Sequence, residues 1–204
     1  MGTGGRLVIP GVSVIIPTVA PRANMLQRAL ASVTAQTLQP DAVIVQEDTE
    51  REGAAATRQR AQDRVTTEWT APLDDDDSFY PQHLEVLAAE AARTGADLVY
   101  SWFDVCNGTD PFPQFFDKPW SNDDPHLFPV TWLGRTEAIQ AAGGWADGSQ
   151  GLYGHADVSG EDWRLILALV ANDAHIVHLA QRTWQWTIHG GNSSGLARNV
   201  RWDG

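Results

Sequence analysis

Through its first hundred residues the chain alternates short apolar runs with stretches of helical period, and few folds accommodate that order. Val12 to Thr18, Val-Ser-Val-Ile-Ile-Pro-Thr, is β-branched and nearly continuous, the pattern of a strand covered on both faces. Leu26, Ala29, Leu30 and Val33 then recur at i, i+3, i+4 and i+7, one face of a helix. The same reasoning predicts a strand at Ala42 to Gln46, a helix over Gly53 to Arg64 and a strand at Trp69 to Leu73. A helix through Leu84, Leu87, Ala88 and Ala91 follows, stopped by Gly95, and then a strand over Asp97 to Val105. Strands separated by helices argue for an α/β fold with a parallel sheet and right-handed crossovers. The carboxyl ends of such strands share one edge, so Glu47-Asp48 and Asp74 to Asp77 are expected to converge there.

The third strand runs directly into four carboxylates, Asp74, Asp75, Asp76 and Asp77. Two unit charges about 4 Å apart repel by ~4 kcal/mol at an effective dielectric of ~20. Several acids at a strand end therefore need water or a cation between them. Hard cations such as Mg²⁺ take oxygen ligands, typically one or two carboxylates together with substrate phosphates. Open α/β sheets also bind ligands at the carboxyl ends of their strands. A solvated acidic loop capping the next helix satisfies the same spacing. The residues by themselves leave both readings open.

The second half is less regular. Cys106 to Phe128 has no periodicity and reads as a long loop, of a kind that is usually functional or mobile. A short strand is predicted at Val130 to Leu133 and a short helix at Glu137 to Ala142, ended by Gly143-Gly144. A glycine-rich loop spans Asp147 to Gly160. Trp163, Ile166, Leu167 and Val170 then mark a helix with Glu161 and Asp162 at its mouth. His175 to Leu179 and Thr183 to Ile188 read as two strands, and the tail from His189 is polar. At 204 residues and 43% hydrophobic content, one domain over 1–204 is expected.

A net charge of −12 argues against a duplex nucleic acid or an anionic membrane as partner. An anionic nucleotide remains acceptable where a metal and a few arginines screen its phosphates. Cys106 is the sole cysteine, so no intrachain disulfide forms and a reducing cytoplasm is expected. No apolar run approaches the ~20 residues of a membrane span, and the N-terminus lacks the apolar region of a signal peptide.

Taken in order, several segments resemble the family 2 type of glycosyltransferase, built on the GT-A fold. They are Val-Ser-Val-Ile-Ile-Pro-Thr at 12–18, Ala-Leu-Ala-Ser-Val-Thr-Ala-Gln-Thr at 29–37, Val-Ile-Val-Gln-Glu-Asp at 43–48 and Leu-Asp-Asp-Asp-Asp at 73–77. Gly-Gly-Trp at 143–145, Gly-Glu-Asp-Trp at 160–163 and His-Gly-Gly-Asn-Ser-Ser at 189–194 complete the set. The resemblance implies a Rossmann-like, mostly parallel sheet, with a nucleotide-sugar-binding half over about 10–105 and an acceptor-side half over about 106–204. It implies an inverting transfer from a nucleoside-diphosphate sugar, UDP-sugar favoured, to a hydroxyl acceptor, with Mn²⁺ or Mg²⁺ as cofactor.

Position by position, the resemblance puts Pro17, Thr18 and Asp48 near the nucleotide base and Arg58 facing the nucleotide. Asp74 and Asp76 match the Asp-x-Asp motif, Asp76 for the metal and Asp74 with Asp75 for the donor. Asp162 looks like the catalytic base with Glu161 beside it, and His189 like a late metal or diphosphate contact. Two departures stand out: Glu47-Asp48-Thr49-Glu50 replaces the family's usual Asp-Asp-Gly-Ser, and Gln59 replaces the usual Asn after the arginine.

The chemistry wants these groups. As the bond from the anomeric carbon to phosphate breaks, the diphosphate gains charge that a Lewis acid neutralises. The attacking hydroxyl needs a base. Capping of a helix by Asp162 is the plain rival, worth ~1 kcal/mol. A nucleotidyltransferase would want a glycine-rich loop after the first strand, and 17–22 contains no glycine. A carbohydrate-binding module would use the acidic loop and tryptophans such as Trp120, Trp132 or Trp145 as sugar platforms. His83, His126, His155, His175 and His178 have no ligand-like company and read as structural.

Overall fold

The computed structural model describes residues 11–126, 128, 130–145 and 160–190. Glycine-rich 147–159, with His155, and the Asn192-Ser193-Ser194 segment lie outside them.

The elements follow from the patterns. β1 (Val12–Thr18) is buried at every position, as its unbroken apolar run requires. A 3₁₀ turn at Ala20–Arg22 leads into α1 (Ala23–Thr34), which buries Ala29 and Val33. β2 (Ala42–Glu47), α2 (Ala54–Gln62) and β3 (Trp69–Pro72) come next. A two-residue strand, β4 (Ser78–Phe79), follows the acidic turn and was not legible in the sequence. α3 (His83–Thr94) buries Leu84, Leu87, Ala88 and Ala91 and ends at Gly95 in the left-handed conformation, φ 72°. β5 (Leu98–Cys106), β6 (Trp132–Arg135), α4 (Thr136–Ala141), α5 (Glu161–Ala171) and β7 (Ile176–Thr187) complete the described chain.

One seven-stranded sheet runs in the order β2-β1-β3-β6-β5-β7-β4. β1 pairs parallel with β2 and β3, and β5 pairs parallel with β7. The mostly parallel sheet expected from the sequence forms, with β6 inserted antiparallel between β3 and β5. Because β3 and β5 both oppose β6, they point the same way. The carboxyl ends of β1, β2, β3, β5 and β7 therefore share one edge. β4 closes against β7 antiparallel.

One reading of the second half needs correction. The strands expected at 175–179 and 183–188 are the one strand β7. Its register with β5 jumps between Ser101↔Leu179 and Trp102↔Arg182, so the polar break at Gln181-Arg182 is a bulge, not a turn. The bulge turns Thr183 inward, where its hydroxyl lies 2.6 Å from His83 Nδ1 and 2.5 Å from Ser101 Oγ. Beyond the end of β5, the described residues of the expected loop over 106–128 form one regular element, a 3₁₀ turn at Pro113–Phe115, and the loop packs on the sheet. Phe128 and His178 stack on Tyr100, with ring centroids 3.8 and 4.4 Å away. Trp102 Nε1 donates to Asp110 at 2.6 Å.

Candidate active site at the carboxyl edge of the sheet

β1 delivers Pro17 and Thr18 to the shared edge, β2 delivers Glu47-Asp48, and β3 leads into the acidic turn. The turn closes with Asp77 N–H donating to Asp74 O at 3.2 Å, which crowds four carboxylates into one bend. Each finds a partner from a different element. Thr18 Oγ1 donates to Asp75 Oδ2 at 2.7 Å. Arg22 Nη1 reaches Asp75 Oδ1 at 2.9 Å and Asp76 Oδ2 at 3.3 Å. Arg58 Nη2 holds Asp74 Oδ1 at 2.5 Å. His189 Nε2, two residues past the end of β7, lies 2.9 Å from Asp76 Oδ2. Asp77 Oδ1 accepts from the backbone N–H of Thr187 at 2.8 Å, tying the turn to the last strand.

Burial sets the electrostatics. Asp76 and Asp77 are 8% and 4% exposed. Burial pushes the Asp76 pKa upward and the Asp74 charge adds to that, against the opposing pull of His189 and Arg22. Burial raises Asp77 well above the usual carboxylate range, helped by the charges of Asp76 and Asp74. A turn of this kind holds excess negative charge in low dielectric and gains from a cation.

Ligand atoms of Asp74, Asp76 and Asp77 lie within 4.8 Å of one another, the one such cluster among the described residues. Hard carboxylate oxygens suit Mg²⁺ or Mn²⁺, so this donor set fits a divalent ion. Asp77, part of the acidic run but given no role of its own by the resemblance, is bound to β7 and serves the turn's shape first.

Arg58 organises the other side. Burial works against its charge, but Asp74 and Glu161 outweigh that and hold its pKa above the ordinary value. Its Nη1 pairs with Glu161 at the mouth of α5, and its Cζ sits 5.3 Å from the Trp145 ring centroid. One guanidinium thus joins the acidic turn to the Glu161-Asp162 pair across 103 residues of sequence. Asp162 Oδ1 accepts from Trp163 N–H at 2.8 Å. Burial raises the Asp162 pKa, with Arg58 opposing and Glu161 reinforcing.

Asp48 is held by its own loop. Its oxygens accept from Glu52 N–H at 3.0 Å and Gly53 N–H at 2.8 Å, closing a loop that stands where the family's Asp-Asp-Gly-Ser would be. The Gly53 bond above all holds its pKa below the usual value. Asp48 still lines the cleft, with Pro17, Thr18, Arg22, Arg58 and Asp74. The cleft encloses ≈ 190 Å³, below the ~300–1,000 Å³ of typical small-molecule sites. The described walls therefore suit a nucleoside portion alone.

Gln59, the second departure, accepts from Trp145 N–H through Oε1 at 2.7 Å. It ties α2 to the Gly-Gly-Trp segment. Trp132 and Trp145 are 1% and 2% exposed and stack on each other at 5.7 Å. They are core rings and not sugar platforms. Trp120 is half-buried, edge-on to Tyr100 at 6.0 Å. Arg22 was missed as a site residue. Its only signal was a basic residue five positions after Pro17, which has no meaning until Asp75 is folded beside it.

Residues 43–146, half of the chain, match the family described as glycosyl transferase family 2. No curated protein matches the sequence. Among solved structures, S. aureus TarS 1-349 in complex with UDP-GlcNAc aligns with TM-score 0.72 at 17% identity, covering 89% of this chain and 60% of that one. S. aureus TarS 1-349 without a named ligand aligns at 0.68 and 17%, covering 87% and 60%. The same fragment in complex with UDP gives 0.64 and 16%, with 87% and 60% covered. The fold is that of the GT-A glycosyltransferases. The chain belongs to glycosyl transferase family 2 and spans about 60% of the length of the TarS fragments it resembles.

Proposed function

We propose that this chain moves a sugar from a nucleoside-diphosphate sugar to a hydroxyl acceptor, with inversion and with a divalent ion, Mn²⁺ or Mg²⁺. The observation that carries the reading is the joining of the acidic turn to the α5 mouth through Arg58, beside a nucleoside-sized cleft. The TarS structure bound to UDP-GlcNAc supports a UDP-sugar as donor. The donor half is about 10–105 and the acceptor side about 106–204. A reducing, cytoplasmic setting rests on the single Cys106, and no helix among the described residues is long and apolar enough to cross a membrane.

Pro17, Thr18 and Asp48 line the base and ribose end, and Asp74 and Asp75 face the donor. Asp76, with His189 next to it, holds the ion. When bound, the ion supplies Lewis-acid neutralisation of the departing diphosphate. The acceptor oxygen forms its bond to the anomeric carbon as the carbon–phosphate oxygen bond breaks, and the acceptor's proton passes to Asp162. The raised pKa of Asp162 brings it closer to the range where a base is effective near neutral pH. Glu161, paired with Arg58, lies beside Asp162 and its charge helps to raise the Asp162 pKa. The burial of Trp132 and Trp145 removes two of the rings that a carbohydrate-binding module would have presented.

Slow release of UDP from a UDP-sugar with Mn²⁺ tests the reading. Asp76→Asn should lower it by roughly 100-fold or more, the scale of losing a key charge stabiliser, with the melting temperature retained. Asp162→Asn should cut turnover far more than donor affinity. Full activity in Asp76→Asn rules out the metal-dependent mechanism. A collapse of donor affinity with turnover intact in Asp162→Asn rules out that base.

A further inference from the structure

Arg22 stands in the first turn after β1 and reaches over the cleft to the acidic bend. Its Nη1 is 2.9 Å from Asp75 Oδ1 and 3.3 Å from Asp76 Oδ2. That same Asp76 Oδ2 lies 2.9 Å from His189 Nε2. A carboxylate oxygen has two lone pairs, and here both are engaged. A cation that takes this oxygen must displace one of the two donors.

The two arginines of the site are held differently. The Arg58 side chain is 7% exposed and is fixed between Asp74 and Glu161 beside Trp145. The Arg22 side chain is 24% exposed and borders the cleft that also contains Thr18, Asp48 and Arg58. Arg22 therefore has somewhere to go: the diphosphate of a nucleotide whose nucleoside fills that cleft would meet the acidic rim, and its oxygens can be taken two at a time by the planar guanidinium fork.

We propose that Arg22 is the resident counter-ion of the acidic turn when no donor is bound. It competes with the divalent ion for Asp76 and transfers to the diphosphate when the nucleotide arrives. Cation and nucleotide then enter as a coupled pair. Entry of the ion alone sets two positive groups against one oxygen. Departure of Arg22 alone takes from a buried bend the one guanidinium that Asp75 and Asp76 share. This inference rests on the metal-dependent reading above and adds to it the residue that links the two ligands.

The deciding measurement is the affinity for Mn²⁺ without nucleotide, read by the electron paramagnetic resonance of free Mn²⁺, for the wild type and Arg22→Met. Competition predicts that Arg22→Met binds Mn²⁺ tighter, on the order of tenfold, the equivalent of one charge-assisted contact removed. It also predicts weaker binding of UDP without metal, with Arg22→Lys intermediate in both. A merely structural role predicts the opposite sign, because a loosened turn binds the ion less well. Equal or weaker Mn²⁺ binding in folded Arg22→Met overturns the inference and leaves the metal-dependent reading standing. Failure of both proteins to take up Mn²⁺ even with UDP removes that reading and the inference together. Should Arg22→Met not fold, Arg22→Gln gives the same comparison, since it keeps donors and loses the charge.

Discussion

His83 shows what a single side chain can contribute when the fold seals it in. It is fully buried, stacks on Phe79 at 4.1 Å and faces Thr183 through Nδ1, while Nε2 has no partner. Burial pushes its pKa down to about 3, below the ordinary 6.5. As the pH falls, the unfolded chain takes up this proton first, so stability is full above about pH 7 and declines from there toward pH 3. At pH 5.5 the loss is about 1.4 kcal/mol, one unit below the unfolded value. For a chain of this size that is roughly 3–5 °C in melting temperature. Calorimetry at pH 8 and 5.5 checks it: the drop should shrink by about that amount in His83→Asn. An unchanged drop would mean that His83 does not titrate on unfolding. Nothing along the chain marks this residue's weight, because its partner Thr183 is 100 positions away.

At the scale of elements, the junction between α2 and the segment after α4 is the most exacting. Gly143 and Gly144 both have positive φ, 89° and 68°. A Cβ at Gly143 meets open space, whereas one at Gly144 runs into the Gln59 side chain that accepts from Trp145 N–H. Gly143→Ala should cost about 1–2 kcal/mol from the left-handed backbone alone. Gly144→Ala should cost about 2–4 kcal/mol, since it also displaces the Gln59 contact. Denaturant unfolding of the two variants measures the difference, and equal costs would show that Gln59 moves aside freely. The paired glycines were readable as a helix stop. That Gln59, a departure from the family's asparagine, braces the tryptophan packed beside Arg58 was not, because the contact spans 86 residues.

At the scale of the whole molecule, the sheet order makes its own demand. β5 lies between β6 and β7, whereas β2 lies at an edge with Val43 42% exposed. Hydrogen exchange should be slowest over 99–102 and at least about tenfold faster over 43–46, since edge strands open at lower free energy than the core. Equal protection would mean that another surface covers β2. The alternation of apolar runs and helical periods determined by itself that β1, β2 and β3 lie parallel and that the acids after β2 and β3 share one edge. It determined this because side-chain period and crossover handedness are local rules. The tertiary structure alone decided that β6 enters antiparallel and that β7 is one bulged strand whose end brings His189 to Asp76. It alone made Asp77 an anchor and Arg22 a counter-ion. Those depend on which distant groups meet in a low-dielectric bend, where pairing energy is set by position in space and leaves no periodic trace along the chain.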